Sequence, residues 1–484
     1  MKTSLLLVFA LSIISANGYA QSSVQIFARN TQIQNLELNN ANCVDEFLKI
    51  KRFYQNWKPS GIAQSELIEQ TPDVLRSMFV TRVSLHDQLP QLSTQCVASM
   101  RGLFRVMREV EDSIGVHGYQ DAQLNAADLK FNQQPVPLVE YKKYRPYQLN
   151  VRTFQFQKGD IMITKGVSMI SSTISGLPKE PSLFSHIAFV FQDDETGVLG
   201  TIESYIGIGV KLYPMNEALL NENARILVLR PKDQALAKAS HDYMYNRVKL
   251  AIKSNQHIHY DYKQNFSDNT TLSCEEIAYD AFNQGSSGQV KIPWSQSVVD
   301  LKDEKFLSSA GLVKGENMLP ADMEVDPRFE IVLDWTDYRL MRDSARKDAI
   351  MREAVSWINE KNYVMYNTFQ AVLGKILWGT REIDFLWPMS SKLMGVPVDY
   401  EKDVPAAGVA MMANLRVLGS YLLPAVAKLD LAYFYKNHVW MTMTELRTAV
   451  EKLRADDEDK YVQNRRSEFH YFFRKPKTVQ QRNN

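Results

Sequence analysis

The chain has 484 residues and a formal net charge of +1, so it lacks the basic excess of a nucleic-acid binder or of a protein held electrostatically to a membrane. Hydrophobic residues make up 45% and charged residues 23%, an ordinary globular balance over a length that accommodates two or three domains.

At the N-terminus Lys2 precedes an apolar run from Leu5 to Ile14, followed by the small residues Gly18 and Ala20. The run is too short to span a bilayer. Residues 1–20 therefore read as a cleaved secretory signal peptide, which predicts a periplasmic or secreted protein with no transmembrane segment in its mature form. No cysteine follows the run to carry a lipoprotein anchor. Export implies an oxidising compartment, in which Cys43 and Cys96 can pair and leave Cys274 as the odd thiol. The sequence leaves that pairing open.

Residues 21–122 read as a helical N-terminal domain. Its first twenty residues, rich in Gln and Asn, predict a loosely ordered start. Asn42 can cap a helix from Cys43 to about Trp57, and Thr71-Pro72-Asp73 reads as a second helix start. Met100, Leu103, Met107, Val110 and Ile114 form an apolar stripe on a third helix beginning near Ser93, with Cys96 on the same face. Residues 123–153, with Pro135, Pro137 and Pro146, read as a linker.

The pattern changes over residues 154–320, which predict an α+β domain with an antiparallel sheet. Gly159 to Ile163 reads as a strand, 171–183 as a loop, and Ser185 to Phe191 as a central strand. A turn at Asp193–Gly197 leads to a partner strand ending at Tyr205, and Val210–Tyr213 and Ala224–Leu229 are further strands. Asp233 to Lys253 reads as a helix with Ala237, Met244, Val248 and Ile252 on one face. A polar loop then leads to Leu272-Ser273-Cys274-Glu275-Glu276-Ile277. Ser273 and Glu276 make a capping box, Ile277, Ala278, Ala281 and Phe282 an apolar stripe, and Gly285 a stop. Residues 321–474 read as a helical C-terminal region, with an apolar segment at 405–427 suited to packing, and 475–484 as a disordered tail.

The chemistry centres on Cys274. A thiol in the first turn of a helix faces unpaired N–H groups, a setting that favours thiolate. Its general base is His186, a polar residue at the head of an otherwise apolar strand, and Glu203 in the paired strand is near enough to orient it. His257 and His259 flank Ile258, but a lone His-x-His without further placed ligands is a weak metal signal. No Walker loop, dinucleotide fingerprint or zinc-protease helix is present, so neither cofactor nor metal is expected.

Taken in order, Gly159-Asp160-Ile161, Ser185-His186-Ile187-Ala188-Phe189-Val190, Ile202-Glu203-Ser204, Tyr260-Asp261 and Ser273-Cys274-Glu275-Glu276-Ile277 resemble the NlpC/P60 superfamily of papain-like cysteine hydrolases. The resemblance is to its circularly permuted branch, the YiiX/YebB-like amidases, in which the Cys helix follows the strands. It covers residues 154–315. It implies Cys274 as nucleophile, His186 as base and Glu203 as its orienting residue, while Glu276 matches the family's acidic position. Ser185, Tyr260 and Glu275 are read as substrate contacts. Ser273 replaces a common aromatic and Glu275 a common serine, and an inward-pointing Glu275 opposes thiolate formation. The implied activity is hydrolysis of amide bonds, in peptides or peptidoglycan fragments. Two alternatives stand beside it. One is a lipid acyl hydrolase or acyltransferase of the lecithin:retinol acyltransferase type, with the apolar stretch Trp378–Met394 lining an acyl site. The other is a non-catalytic envelope-binding module.

Overall fold

The computed structural model of the chain describes residues 23–59, 64–118, 130–131, 134–135, 154–220, 223–366, 368–463 and 469–475. The expected signal peptide and nearly all of the expected linker and tail lie outside these residues.

The N-terminal layer is helical: α1 (Ser23–Gln34), α2 (Cys43–Gln55), α3 (Gln64–His86) and α4 (Thr94–Gly118). Two expectations are corrected here. The Gln/Asn-rich start is a helix, because Ile26, Asn30 and Ile33 lie at helical spacing and are all buried. Asn30 sits within that stripe because its amide binds both Tyr54 and Ser77. The second helix begins at Gln64, ahead of Thr71, and carries Pro72 inside it. Cys43 and Cys96 form a disulfide that joins α2 to α4.

The centre is one six-stranded antiparallel sheet. Its strands are β1 (Ile161–Gly166), β2 (His186–Gln192), β3 (Leu199–Tyr205), β4 (Gly209–Pro214), β5 (Asn223–Pro231) and β6 (Phe329–Thr336). The order across the sheet is β6-β5-β1-β2-β3-β4. The edge strand β6 lies beyond residue 320, in a stretch expected to be helical.

Strand alternation sorts the side chains between two cores. Ile161, Ile163, Ile187, Phe189 and Leu227 face α6 (Gln234–Lys253) and α7 (Cys274–Gly285), against Met244, Val248, Ile277, Ala281 and Phe282. On α6 the buried position is Ala251; Ile252 is exposed, one residue off the expected face. Met162, Ala188, Val190 and Val228 pack on the opposite face with Phe154 and Phe156. The expected loop at 171–183 begins inside a short helix, α5 (Met169–Gly176), capped by Ser168. Its sequence has little helix propensity, and tertiary contacts hold it. Ser175 Oγ meets the buried Lys165 Nζ at 2.9 Å, and that amine also pairs with Asp348 at 2.6 Å.

The C-terminal region contributes α8 (Tyr338–Lys361), α9 (Phe369–Trp378), α10 (Trp387–Met394), α11 (Ala406–Asn437) and α12 (Met443–Val462). Among the described residues, α11 is the one helix long and apolar enough to cross a membrane, with a mean hydropathy of 1.4. Half of its apolar window is buried inside the protein, and its fully buried Asp430 pairs with Arg342 and Arg346 of α8.

Buried ion pairs join the N-terminal helices to the sheet. Arg82 and Arg108 share Asp334 of β6 at 2.6 and 2.5 Å, Arg108 also holds Glu324, and Arg225 of β5 meets Asp112 of α4.

Candidate active site

The Cys274 helix begins as its sequence predicts. The Ser273 side chain accepts the Glu276 N–H, and Glu276 Oε2 accepts the Ser273 N–H at 2.7 Å. Ile277, Ala278, Ala281 and Phe282 are fully buried. This anchors the first turn of α7 against the sheet.

The sheet opens to receive that turn. Strands β2 and β3 pair from Gln192↔Leu199 as far as Phe189↔Ile202 and then part. The segment before α7 enters the gap: Ser204 Oγ donates to the Leu272 carbonyl at 2.6 Å, and the Ile187 N–H points at the Cys274 sulfur. Cys274 and His186 thus line one cleft of about 350 Å³, together with Ser185, Tyr205, Tyr260 and Tyr400.

His186 is held from two sides. Its Nε2 lies 2.8 Å from Glu203 Oε2, and its ring stacks on Tyr205 with centroids 4.6 Å apart. The ladder register would set Tyr205, not Glu203, opposite His186, so the carboxylate reaches the imidazole along the diagonal. Glu203 also accepts hydrogen bonds from Thr201 and Tyr205. Burial works to raise its pKa, but the His186, Thr201 and Tyr205 hydrogen bonds outweigh burial and hold Glu203 below the usual carboxylate range. Glu203 engages Nε2, which leaves Nδ1 as the ring nitrogen for proton exchange. Tyr205 and Thr201 were not singled out from sequence; their spacing of two from Glu203, on one strand face, was the signal.

The thiol is in a different state from the one its helix position suggests. Cys274 Sγ donates a hydrogen bond to Glu275 Oε2 at 3.1 Å rather than to His186. Burial first, and then the Glu275 carboxylate, push the thiol well above its ordinary pKa, while the Ile187 and Cys274 N–H groups work the other way. Glu275 is itself raised by burial, with the thiol, its own N–H and the charge of His186 opposing. The inward orientation that the sequence flagged as unfavourable is the one adopted. Of the residues read as substrate contacts, Tyr260 and Ser185 line the cleft, although the Ser185 hydroxyl already accepts the Gly166 N–H. Glu275 is buried against the thiol and is not among the lining residues.

Glu276 gives a pH prediction. Burial pushes its carboxyl up to about 8, against the Ser273 N–H, and its second oxygen is buried without a hydrogen-bond partner. The folded state therefore holds a proton that the unfolded state releases above the ordinary carboxylate range. Stability falls as pH rises through that window, by at most ~1.4 kcal/mol per unit for one proton. Glu276→Gln keeps an acceptor for Ser273 and removes the titration. Its thermal midpoint is expected to gain on wild type steadily between pH 5 and about 8. Parallel pH curves for the two proteins would rule this out.

Beyond Tyr400 the cleft opens into a wider apolar groove of about 870 Å³ between α9, α10 and α11. Ser168, Ile170, Tyr400 and Met412 belong to both spaces. Trp378, Leu393 and Met394, at the two ends of the stretch that the acyl-site alternative names, line the groove. Phe369, Ile376, Phe385, Met389 and Leu393 on this side of the protein are 60–81% exposed.

His257 and His259 approach Glu401, a third donor that sequence spacing could not supply. The three residues could together hold a metal ion.

No family model matches the chain, and no curated protein matches it. A solved structure with some likeness is the metalloprotein YiiX from Escherichia coli O157:H7, described as DUF1105. It shares 16% identity over 37% of this chain and 97% of its own, with a TM-score of 0.29. The likeness is to a weak structural neighbour and bears on neither activity nor substrate.

Proposed function

We propose that the chain is an exported cysteine hydrolase that cleaves amide bonds through an acyl-enzyme on Cys274, on a permuted NlpC/P60 papain-like core. The observation that carries this reading is the cleft shared by a helix-start thiol and an imidazole clamped by Glu203 and Tyr205. An imidazole fixed through Nε2 presents one nitrogen for proton transfer, as a general base requires.

His186 Nδ1 takes the thiol proton as Cys274 Sγ attacks the carbonyl carbon. The resulting oxyanion is met by the Cys274 backbone N–H at the start of α7. His186 then returns the proton to the leaving amine as the carbon–nitrogen bond breaks, and a thioester remains. Water attacks the thioester, giving one proton to His186, and the acid leaves as the thiol is restored. The resting thiol–Glu275 hydrogen bond makes deprotonation a step that accompanies substrate binding, and catalytic hydrogen bonds commonly tighten only in the substrate complex. Peptide stems or cross-links of a cell wall are the substrates proposed. The test is intact-mass detection of an acyl adduct on Cys274 during turnover of a peptidoglycan-derived amide. Substrate consumption without any adduct, even after rapid acid quench, would overturn the covalent route.

A second reading is favoured by the groove that continues the cleft: the acyl part of the substrate is a lipid chain. An extended apolar trough leading from a nucleophile suits an alkyl tail, at about 0.8 kcal/mol per buried CH₂. Leu393→Arg puts a charge on an exposed rim position, where folding is insensitive to it. Under this reading it lowers kcat/KM for a long-chain acyl substrate at least tenfold and leaves an acetyl substrate unchanged. Equal effects on both chain lengths would remove the lipid reading and leave the amidase.

A further inference from the structure

Four side chains from two distant segments meet beside the cleft. His257 and His259 lie in the loop that leads towards Cys274, and Glu401 and Asp403 in the segment between α10 and α11. Glu401 Oε1 is 2.8 Å from His257 Nε2 and 3.1 Å from His259 Nδ1. Asp403 Oδ2 is 3.4 Å from the same Nδ1. Two ligands bound to one tetrahedral zinc at ~2.0–2.1 Å stand about 3.3 Å apart, so the Glu401–His257 pair at 2.8 Å and the Glu401–His259 pair at 3.1 Å need open by only a few tenths of an ångström to admit an ion.

Hydrogen-bonded side chains reach similar distances, so the surroundings must discriminate. The two imidazoles cross at 87° with centroids 4.8 Å apart, edge to face, so they turn nitrogens towards a common carboxylate and do not stack. Glu401 is only 3% exposed at its side chain and accepts the Tyr260 N–H, which fixes the carboxylate before any ion arrives. Space has also been cleared for the cluster. Gly209 has φ +69°, and a Cβ there would stand 2.5 Å from Glu401 Oε1 and 2.6 Å from His257 Nε2.

We propose that His257, His259 and Glu401 form a binding site for a divalent transition-metal ion of the zinc class, with Asp403 beside His259. Two imidazole nitrogens with carboxylate oxygens suit such an ion, whereas calcium and magnesium favour all-oxygen shells. The ion would clip the 397–404 segment onto the loop ahead of the nucleophile. Glu401 N–H already donates to the Gly207 carbonyl at 2.7 Å, and Tyr400 packs against Gly207. Tyr260 and Tyr400 both line the Cys274 cleft, so the ion fixes one wall of it. The site stands whether or not Cys274 is catalytic.

The test uses the full mature chain, stripped with a chelator and titrated with Zn²⁺ by calorimetry, with metal content measured by mass spectrometry. One equivalent is expected to bind with Kd below ~1 μM and to raise the thermal midpoint. His259→Gln and Glu401→Gln should each weaken binding by about 100-fold or more, while Cys274→Ala binds as wild type. X-ray absorption of the wild-type zinc form needs no variant: a shell of N/O ligands near ~2.0–2.1 Å is expected. Binding weaker than ~100 μM, unchanged binding in a His257→Gln/His259→Gln double variant, or a zinc–sulfur shell near ~2.3 Å would each overturn the site.

Discussion

Cys274→Ala is expected to lower turnover of an activated acyl substrate by at least ~10³-fold and to abolish the initial burst, because the atom that forms the intermediate is gone. His186→Ala should cost ~10²- to 10⁴-fold through loss of the proton acceptor. The two changes act on one unit, so the double variant should be little worse than Cys274→Ala alone. Stopped-flow release of the chromophoric leaving group checks all three. His186 is part-exposed at the cleft wall, and Cys274→Ala removes one atom from the end of an anchored helix, so circular dichroism should be unchanged in both. Full turnover in both single variants would end the triad assignment, whereas no turnover in the wild type either would leave the envelope-binding reading in its place.

Glu275→Gln is expected to move the reactivity of the thiol in the opposite direction. The wild-type thiol is held protonated by burial and by a carboxylate 3.1 Å away. The substitution keeps a hydrogen-bond acceptor and removes the negative charge, so thiolate forms at lower pH. The midpoint of the pH profile for iodoacetamide alkylation should fall relative to wild type. The rate at neutral pH gains less than the thiolate population does, because intrinsic nucleophilicity falls with pKa, with a Brønsted slope of ~0.4–0.5. A tenfold rise in thiolate therefore yields about a threefold faster reaction. A slower reaction, with the midpoint displaced upward, would instead make Glu275 the group that receives the thiol proton. The two outcomes separate a brake on the nucleophile from a partner in its activation.

What could be read from the residues follows how local the physics is. The Cys274 helix was legible in full, because a capping box and an apolar stripe are written within a dozen residues. The α+β class and its antiparallel sheet were legible from alternation and turns, as was the nearness of His186 to Glu203 across a hairpin. The diagonal geometry was not, since it depends on where β2 and β3 part, and the Leu272–Cys274 segment fills that gap. Helix α5 was hidden because Ser and Gly residues specify a loop until Lys165 and Asp348 close on Ser175. Strand β6 was hidden by the helices close on either side of it in sequence, Pro320–Val325 and α8. Glu401 was out of reach altogether: 144 positions separate it from His257, and no local pattern marks a buried carboxylate in a turn-rich stretch.

The cleft has one side made by the sheet and α7 and another made by Tyr400 and Met412, from a different part of the chain. The first side carries the thiol, the imidazole and the carboxylates; the second carries none of them. Under the proposed function, bond-breaking and substrate choice are thus encoded in separable stretches of sequence. A lineage can rewrite residues 369–437, lengthening or closing the apolar trough, without disturbing the atoms that exchange protons. Chimeras between relatives that trade this block should inherit chemistry from one parent and diet from the other.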